Sequence, residues 1–173
     1  MSKNHECRRI ALEEVVRQCI NICSCYICSD LKEMYDGIKE KGLELQVCIA
    51  DPQEAIRCNL NEFLCYRSLS KYVETRCPDL MIEARGKCFI IELKLRVSKV
   101  GRGKLRDIIH YLEPEINKLE NPCSVEMCCN AKIRRRFMVF KDDVAEDIRN
   151  ILKSHQFCEF VKGLKELVRE WLW

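Results

Sequence analysis

The stretch from residue 78 to residue 94 leaves this chain the least freedom. Residues 80–84 and 88–95 are short apolar runs separated by Arg85-Gly86. Each has the length and apolar content of a buried strand, and the glycine between them marks a hairpin turn. A two-residue loop there sets Asp79 directly opposite Glu92, with Cβ atoms roughly 4.5–5.5 Å apart on one face. Lys94 points the same way, because side chains alternate along a strand. Two carboxylates and an ammonium therefore converge at the open end of a hairpin whose other residues belong to a core.

Three such charges can be unrelated: a turn Asp, a strand-end Glu and a solvated Lys. They also make a donor set for a hard divalent cation. Mg²⁺ (or Mn²⁺) takes oxygen ligands, commonly one or two carboxylates, and leaves positions for water and phosphate. Asp79 and Glu92 offer the carboxylates, and the backbone carbonyl of Leu93 offers a third oxygen. A metal so held acidifies its water and offsets charge on a phosphoryl group. Lys94 is placed to orient that water, to deprotonate it if its pKa is lowered, or to face the phosphate.

Pro78-Asp79, then twelve residues, then Glu92-Leu93-Lys94 resembles the motif of the PD-(D/E)xK nuclease superfamily. That superfamily includes restriction endonucleases, archaeal Holliday-junction resolvases and RecB-type exonucleases. The resemblance covers residues 52–140, about half the chain. It implies an α/β, restriction-endonuclease-like core of order αβββαβ. A central mixed four-stranded sheet is flanked by helices, with further helices added at both ends. The implied activity is Mg²⁺-dependent hydrolysis of DNA phosphodiester bonds by metal-activated water, in repair, recombination or processing. Asp79, Glu92 and Lys94 become the catalytic residues, with Asp79, Glu92 and Leu93 on the metal. The superfamily often takes a further acid from the helix before the first core strand; Glu62 and Glu54 stand there, Glu62 nearer the motif. RecB-type members carry Gln-x3-Tyr after the motif, where this chain has Asp107-x3-Tyr111. Some also hold an iron–sulfur cluster by one cysteine before the motif and three after. Cys65 matches the first, whereas Cys123, Cys128, Cys129 and Cys158 do not form the compact triplet.

Composition narrows the partners. At 173 residues, 47% hydrophobic and 33% charged, the chain has the make-up of one folded domain rather than a disordered one. A net charge of only +3 excludes a polycationic tail, so contact with DNA must come from local clusters. One cluster is Arg96, Lys99, Arg102, Lys104 and Arg106, interleaved with Gly101 and Gly103 and followed by Tyr111. A second is Lys132, Arg134, Arg135 and Arg136. Gly-flanked basic loops suit a phosphate backbone; equally, such residues can form solvated surface. No apolar signal core or membrane-length run is present, so a cytoplasmic protein without membrane contact is expected.

Fourteen cysteines are many for such a protein. Cys19, Cys23, Cys25 and Cys28 lie close enough in sequence for a zinc or iron–sulfur site, and equally for disulfides or buried thiols. Intracellular disulfides are rare outside hyperthermophiles. With the many charged residues and the archaeal resemblance, they suit a hyperthermophilic archaeon or its virus.

Along the chain, the apolar spacing predicts a helical extension over 1–50, mostly one helix over 6–41 followed by a strand at 44–50. The core is expected over 51–141. Its elements are a helix from Asp51-Pro52 reaching Leu69, a first core strand at 71–77, the hairpin, a helix over 104–112 and a strand within 131–141. Pro114 is expected to kink or restart that helix. Residues 142–173 read as two helices of the same domain, the last carrying an apolar stripe from Phe157 to Trp171 and Leu172. That stripe packs on its own domain or serves as a homodimer seam. The competing functional reading is a non-catalytic nucleic-acid-binding or structural protein, with the cysteines as a metal or redox site.

Overall fold

A computed structural model of the protein describes residues 8–19, 25–65, 77–99, 104–120, 128–129 and 133–172. These form a mixed α/β fold around one six-stranded sheet whose strands lie side by side in chain order. They are β1 (Ile10–Ala11), β2 (Gln46–Ile49), β3 (Leu80–Ala84), β4 (Lys87–Lys94), β5 (Ile133–Phe140) and β6 (Val161–Gly163). β1 to β4 pair antiparallel, while β5 and β6 run parallel to β4. Parallel neighbours need crossovers. α4 (Leu105–Glu120) supplies the one between β4 and β5, and α5 (Asp142–Leu152) the one between β5 and β6. The expected four-stranded sheet is thus too small, because the chain ends add β1 and β6 at its edges.

The hairpin forms in the register its turn dictates. Leu80 faces Ile91 and Ala84 faces Lys87, and one further step sets Asp79 opposite Glu92. Arg85 and Gly86 both have positive φ, 50° and 76°, the two-residue turn whose twist matches that of the flanking strands.

Alternation along β3 and β4 then builds two layers of core. Leu80, Ile82, Phe89, Ile91 and Leu93 pack towards α1 (Leu12–Cys19), α2 (Tyr26–Ile38) and α6 (Leu164–Leu172). Met81, Cys88 and Ile90 pack on the other face with Ile108, Leu112, Ile116 and Leu119 of α4 and Val144 and Ile148 of α5. Glu92 and Lys94 continue this second set, so the strand directs them under α4.

Several expected elements differ. The helix over 6–41 is two helices, α1 and α2, and Ile10–Ala11 is a strand. Cys25 precedes α2 in extended conformation. The helix opened by Asp51, whose carboxylate accepts from the Gln53 N–H, is the short α3 (Pro52–Arg57). Asn59 in the left-handed region ends its path, and Ile56 on this helix is exposed although Ala55 beside it is buried. The first core strand was expected at 71–77, of which 71–76 lie outside the described residues. β3 already has β2 and β4 as its two neighbours, so β2 fills that place. Helix α4 runs through Pro114 without restarting. The missing proline N–H deprives only the carbonyl of His110, an exposed residue. β5 includes the arginines as well as Phe137–Phe140. Finally, Gln156–Phe160 is a 3-10 turn and Val161–Gly163 a strand, so the last helix starts only at Leu164. Of its stripe, Leu167, Val168 and Trp171 are buried within the chain, Trp171 edge-on to Phe89, while Phe157, Phe160, Leu164 and Leu172 are half-buried.

Four disulfides join described residues: Cys19–Cys28, Cys25–Cys58, Cys48–Cys65 and Cys88–Cys129. Cys77 and Cys128 are also disulfide-bonded, and Cys158 is a free thiol. Three of the four N-terminal cysteines weighed for zinc or iron–sulfur binding are therefore oxidised, and Cys23 lies outside the described residues. Cys65, Cys128 and Cys129 are likewise disulfide-bonded, and Cys123 lies outside the described residues.

Candidate metal centre at the open end of the hairpin

Asp79 stands where β3 stops short of the end of β4. Its Oδ2 accepts from the Leu93 N–H at 2.7 Å, and its main-chain carbonyl accepts from Ala50 at 2.9 Å. In an antiparallel ladder a residue's N–H and C=O point to the same neighbour. The Leu93 carbonyl is therefore aimed along the edge that Asp79 occupies. Burial raises the Asp79 carboxyl well above the usual range, and the adjacent Glu92 raises it further.

Glu92 is buried, 3% exposed. Its Oε2 lies 3.5 Å from Lys94 Nζ and 3.4 Å from Lys118 Nζ. Its Oε1 is buried with no hydrogen-bond partner. Burial raises its pKa against the pull of Lys118 and Lys94. An orphaned buried carboxylate oxygen costs about 1–3 kcal/mol or more, a cost that a cation or a proton removes.

Lys94 leans on Glu115 Oε1 as well as on Glu92. Burial by itself would lower its pKa, but Glu92 and Glu115 outweigh burial and raise it. The acids beside Lys94 thus favour its ammonium form while no metal is bound. Lys118, one turn beyond Glu115 on α4, sits 2.8 Å from Glu115 Oε2. Its pKa is also raised: Glu92 and Glu115 overcome burial. Glu115 moves the other way, because its hydrogen bonds to Lys118 and Lys94 outweigh burial. Asp51 borders the group from α3, its carboxyl raised by burial against the Gln53 N–H and the field of Lys118.

Glu115 and Lys118 were not singled out in the sequence. Their signal was present: each directly precedes an inward residue of α4, Ile116 or Leu119, so each flanks the buried stripe. Asp51 is expected only to open a helix, which it does as the cap of α3.

The remaining expected residues are dispersed. Glu62 is exposed on the 3-10 turn Asn61–Phe63, and Glu54 is paired with Arg57. Arg96 lies just beyond the site but is engaged, with Asp30 at 3.6 Å and the Tyr26 ring beneath it. Lys99, Lys104, Arg106 and Tyr111 are exposed. Arg106 is nine residues before Glu115 on α4, roughly 14 Å along the helix. Arg134 and Arg135 pair with Cys88 and Phe89, whereas Glu92 pairs with Met138, so they lie roughly 10–13 Å down the sheet. Arg102 and Lys132 fall outside the described residues.

The donor set suits a hard cation: two carboxylates, one with a free buried oxygen, and a main-chain carbonyl. Among the described residues no group of three or more His, Cys, Asp or Glu side chains could hold a metal. Mg²⁺ needs less, since one or two carboxylates and several waters satisfy it. No helix among the described residues is long and apolar enough to cross a membrane. Comparison with known proteins gives no match: no family model, no curated protein and no solved structure.

Proposed function

We propose that the protein is a Mg²⁺-dependent nuclease of PD-(D/E)xK type that hydrolyses DNA phosphodiester bonds. The observation that carries this reading is the strand-end convergence of Asp79 and Glu92, with Lys94 beside them. The antiparallel order β2-β3-β4, followed by a helix and a parallel β5, supports a restriction-endonuclease-like core. Charge supports a cation. Asp79, Glu92 and Glu115 outnumber Lys94 and Lys118, so the buried group carries one negative charge in excess when fully ionised. In low dielectric such an excess is relieved by protons or by a counter-ion.

Asp79, Glu92 and the Leu93 carbonyl would hold the metal, which supplies an acidified water and charge neutralisation at the phosphate. Lys94, fixed by Glu115, keeps an ammonium where negative charge grows on the phosphoryl oxygens. The Leu93 N–H fixes the Asp79 carboxylate. Exposed Lys99, Lys104 and Arg106 can steer the DNA backbone by charge alone. The disulfides fit an oxidising compartment, or the interior of a hyperthermophile, where they persist.

Cleavage of labelled single-stranded, duplex and four-way-junction DNA in Mg²⁺, Mn²⁺ or EDTA tests the proposal. Metal-dependent cutting is expected, and Asp79→Ala and Lys94→Ala each abolish it. A folded protein that cuts none of these substrates moves the reading to a non-catalytic binding protein.

A further inference from the structure

Both lysines at the site bridge Glu92 and Glu115 at similar distances, but they differ in the element they come from and in exposure. Lys94 rises from the same strand, with its ammonium fixed on Glu115 Oε1. Lys118 comes from α4 and bridges two carboxylates, 2.8 Å from Glu115 Oε2 and 3.4 Å from Glu92 Oε2. It is also the more accessible, 30% exposed against 11% for Lys94. A divalent ion on Asp79 and Glu92 would share Glu92 with these ammonium groups, and like charges so close repel strongly in a poorly solvated site. One must yield. Both lysines have Glu115 to remain on, but Lys118 is the more exposed and has a path to solvent, whereas the Lys94 side chain is largely enclosed.

We propose that Lys118 is a resident counter-cation of the metal centre. It neutralises Glu92 while no metal is bound and is displaced onto Glu115 when a divalent ion binds. Metal affinity is therefore set by competition with this side chain. The inference rests on the metal reading above and adds a positioning residue to it. A purely structural Lys118 would only support the fold, and its loss would leave metal binding unchanged or weaker.

The test is calorimetric titration of Mn²⁺ into the full chain without DNA, for wild type, Lys118→Met and Lys118→Arg. Lys118→Met should bind Mn²⁺ about tenfold more tightly or better, which is the loss of one competing charge pair. Lys118→Arg, which keeps the charge, should bind no more tightly than wild type. In EDTA the Met variant should melt below wild type, and Mn²⁺ should raise its melting temperature by more. Wild-type or weaker Mn²⁺ affinity in the Met variant overturns the inference while leaving the metal reading intact. If the Met variant unfolds in EDTA and Mn²⁺ does not refold it, the inference fails as well. A wild-type protein that binds no Mn²⁺ overturns both.

Discussion

Glu92 and Asp30 are the buried charged residues among those described, and they solve the same problem differently. Asp30 lies on α2, on one side of the sheet, and its ion pair is with Arg96 at 3.6 Å, while Lys94 and Lys141 act on it only by longer-range charge. Arg96 is half exposed and lies over the Tyr26 ring at 4.5 Å. Burial outweighs the arginine and lifts the Asp30 carboxyl to about 6, so a proton near neutral pH relieves it. Glu92 lies on the other side, under α4, in a group of three acids and two lysines whose charge does not close. One of its oxygens has no partner. A buried acid whose ion pair is with one half-exposed arginine reads as structure. An unbalanced cluster with an orphaned oxygen reads as a place for something that arrives from solution.

The largest expected difference between the two regions is in activity. Glu92→Gln should lower metal-dependent cleavage by roughly 10²–10³-fold or more, and Asp30→Asn should change it far less, since the ion pair of Asp30 is with Arg96 and not with either lysine that holds Glu92. Equal losses in the two variants would erase the distinction.

Stability separates them next. In EDTA, Lys94→Met leaves Glu92 short of a partner and should cost about 3–5 kcal/mol by denaturant melting. Arg96→Ala at pH 5 should cost under about 1 kcal/mol, because Asp30 can take up a proton instead. Of similar size is the Cys25–Cys58 cross-link, which joins the start of α2 to the end of α3 across 33 residues. Replacing both cysteines by serine should cost about 3–4 kcal/mol, read from the shift in denaturant midpoint.

The pH response sharpens the Asp30 half. Its folded pKa lies above its ordinary 3.8, at about 6, so the folded state binds this proton more tightly than the unfolded chain. Stability therefore falls as pH rises from about 4 to about 6, by up to about 3 kcal/mol from this group. Denaturant midpoints at pH 4.5 and pH 7.5 should show that part of the slope vanish in Asp30→Asn. If the slope is unchanged, Asp30 is not the group that titrates. The smallest effect is at Tyr26. Tyr26→Leu removes the stacked guanidinium contact and should cost about 0.5–1 kcal/mol in thermal melts, with no change in metal affinity.

Much of the site was legible because it is local. The Arg85-Gly86 turn and the alternation of β4 place Asp79, Glu92 and Lys94 together whatever surrounds them. The partners beyond the hairpin were not, since Glu115 and Lys118 reach the site only through the α4 crossover and Asp51 only because β2 pairs with β3. The cysteine pairing lay equally out of reach: Cys25 finds Cys58 and Cys88 finds Cys129 only after the sheet and its helices have assembled. The sheet itself was undercounted because β1 and β6 are two and three residues long. Strands that short carry no periodicity and owe their shape to the neighbour they pair with.

The amino-acid sequence alone determined the hairpin, its register and the two-carboxylate end with its lysine, because turn geometry and the two-residue repeat of a strand act over neighbouring residues. Only the tertiary structure decided that Lys94 meets Glu115 as well as Glu92, that a second lysine shares Glu92 and that one Glu92 oxygen is left without a hydrogen-bond partner. Those outcomes depend on burial and on charges from distant segments, whose energies rise steeply once water is excluded.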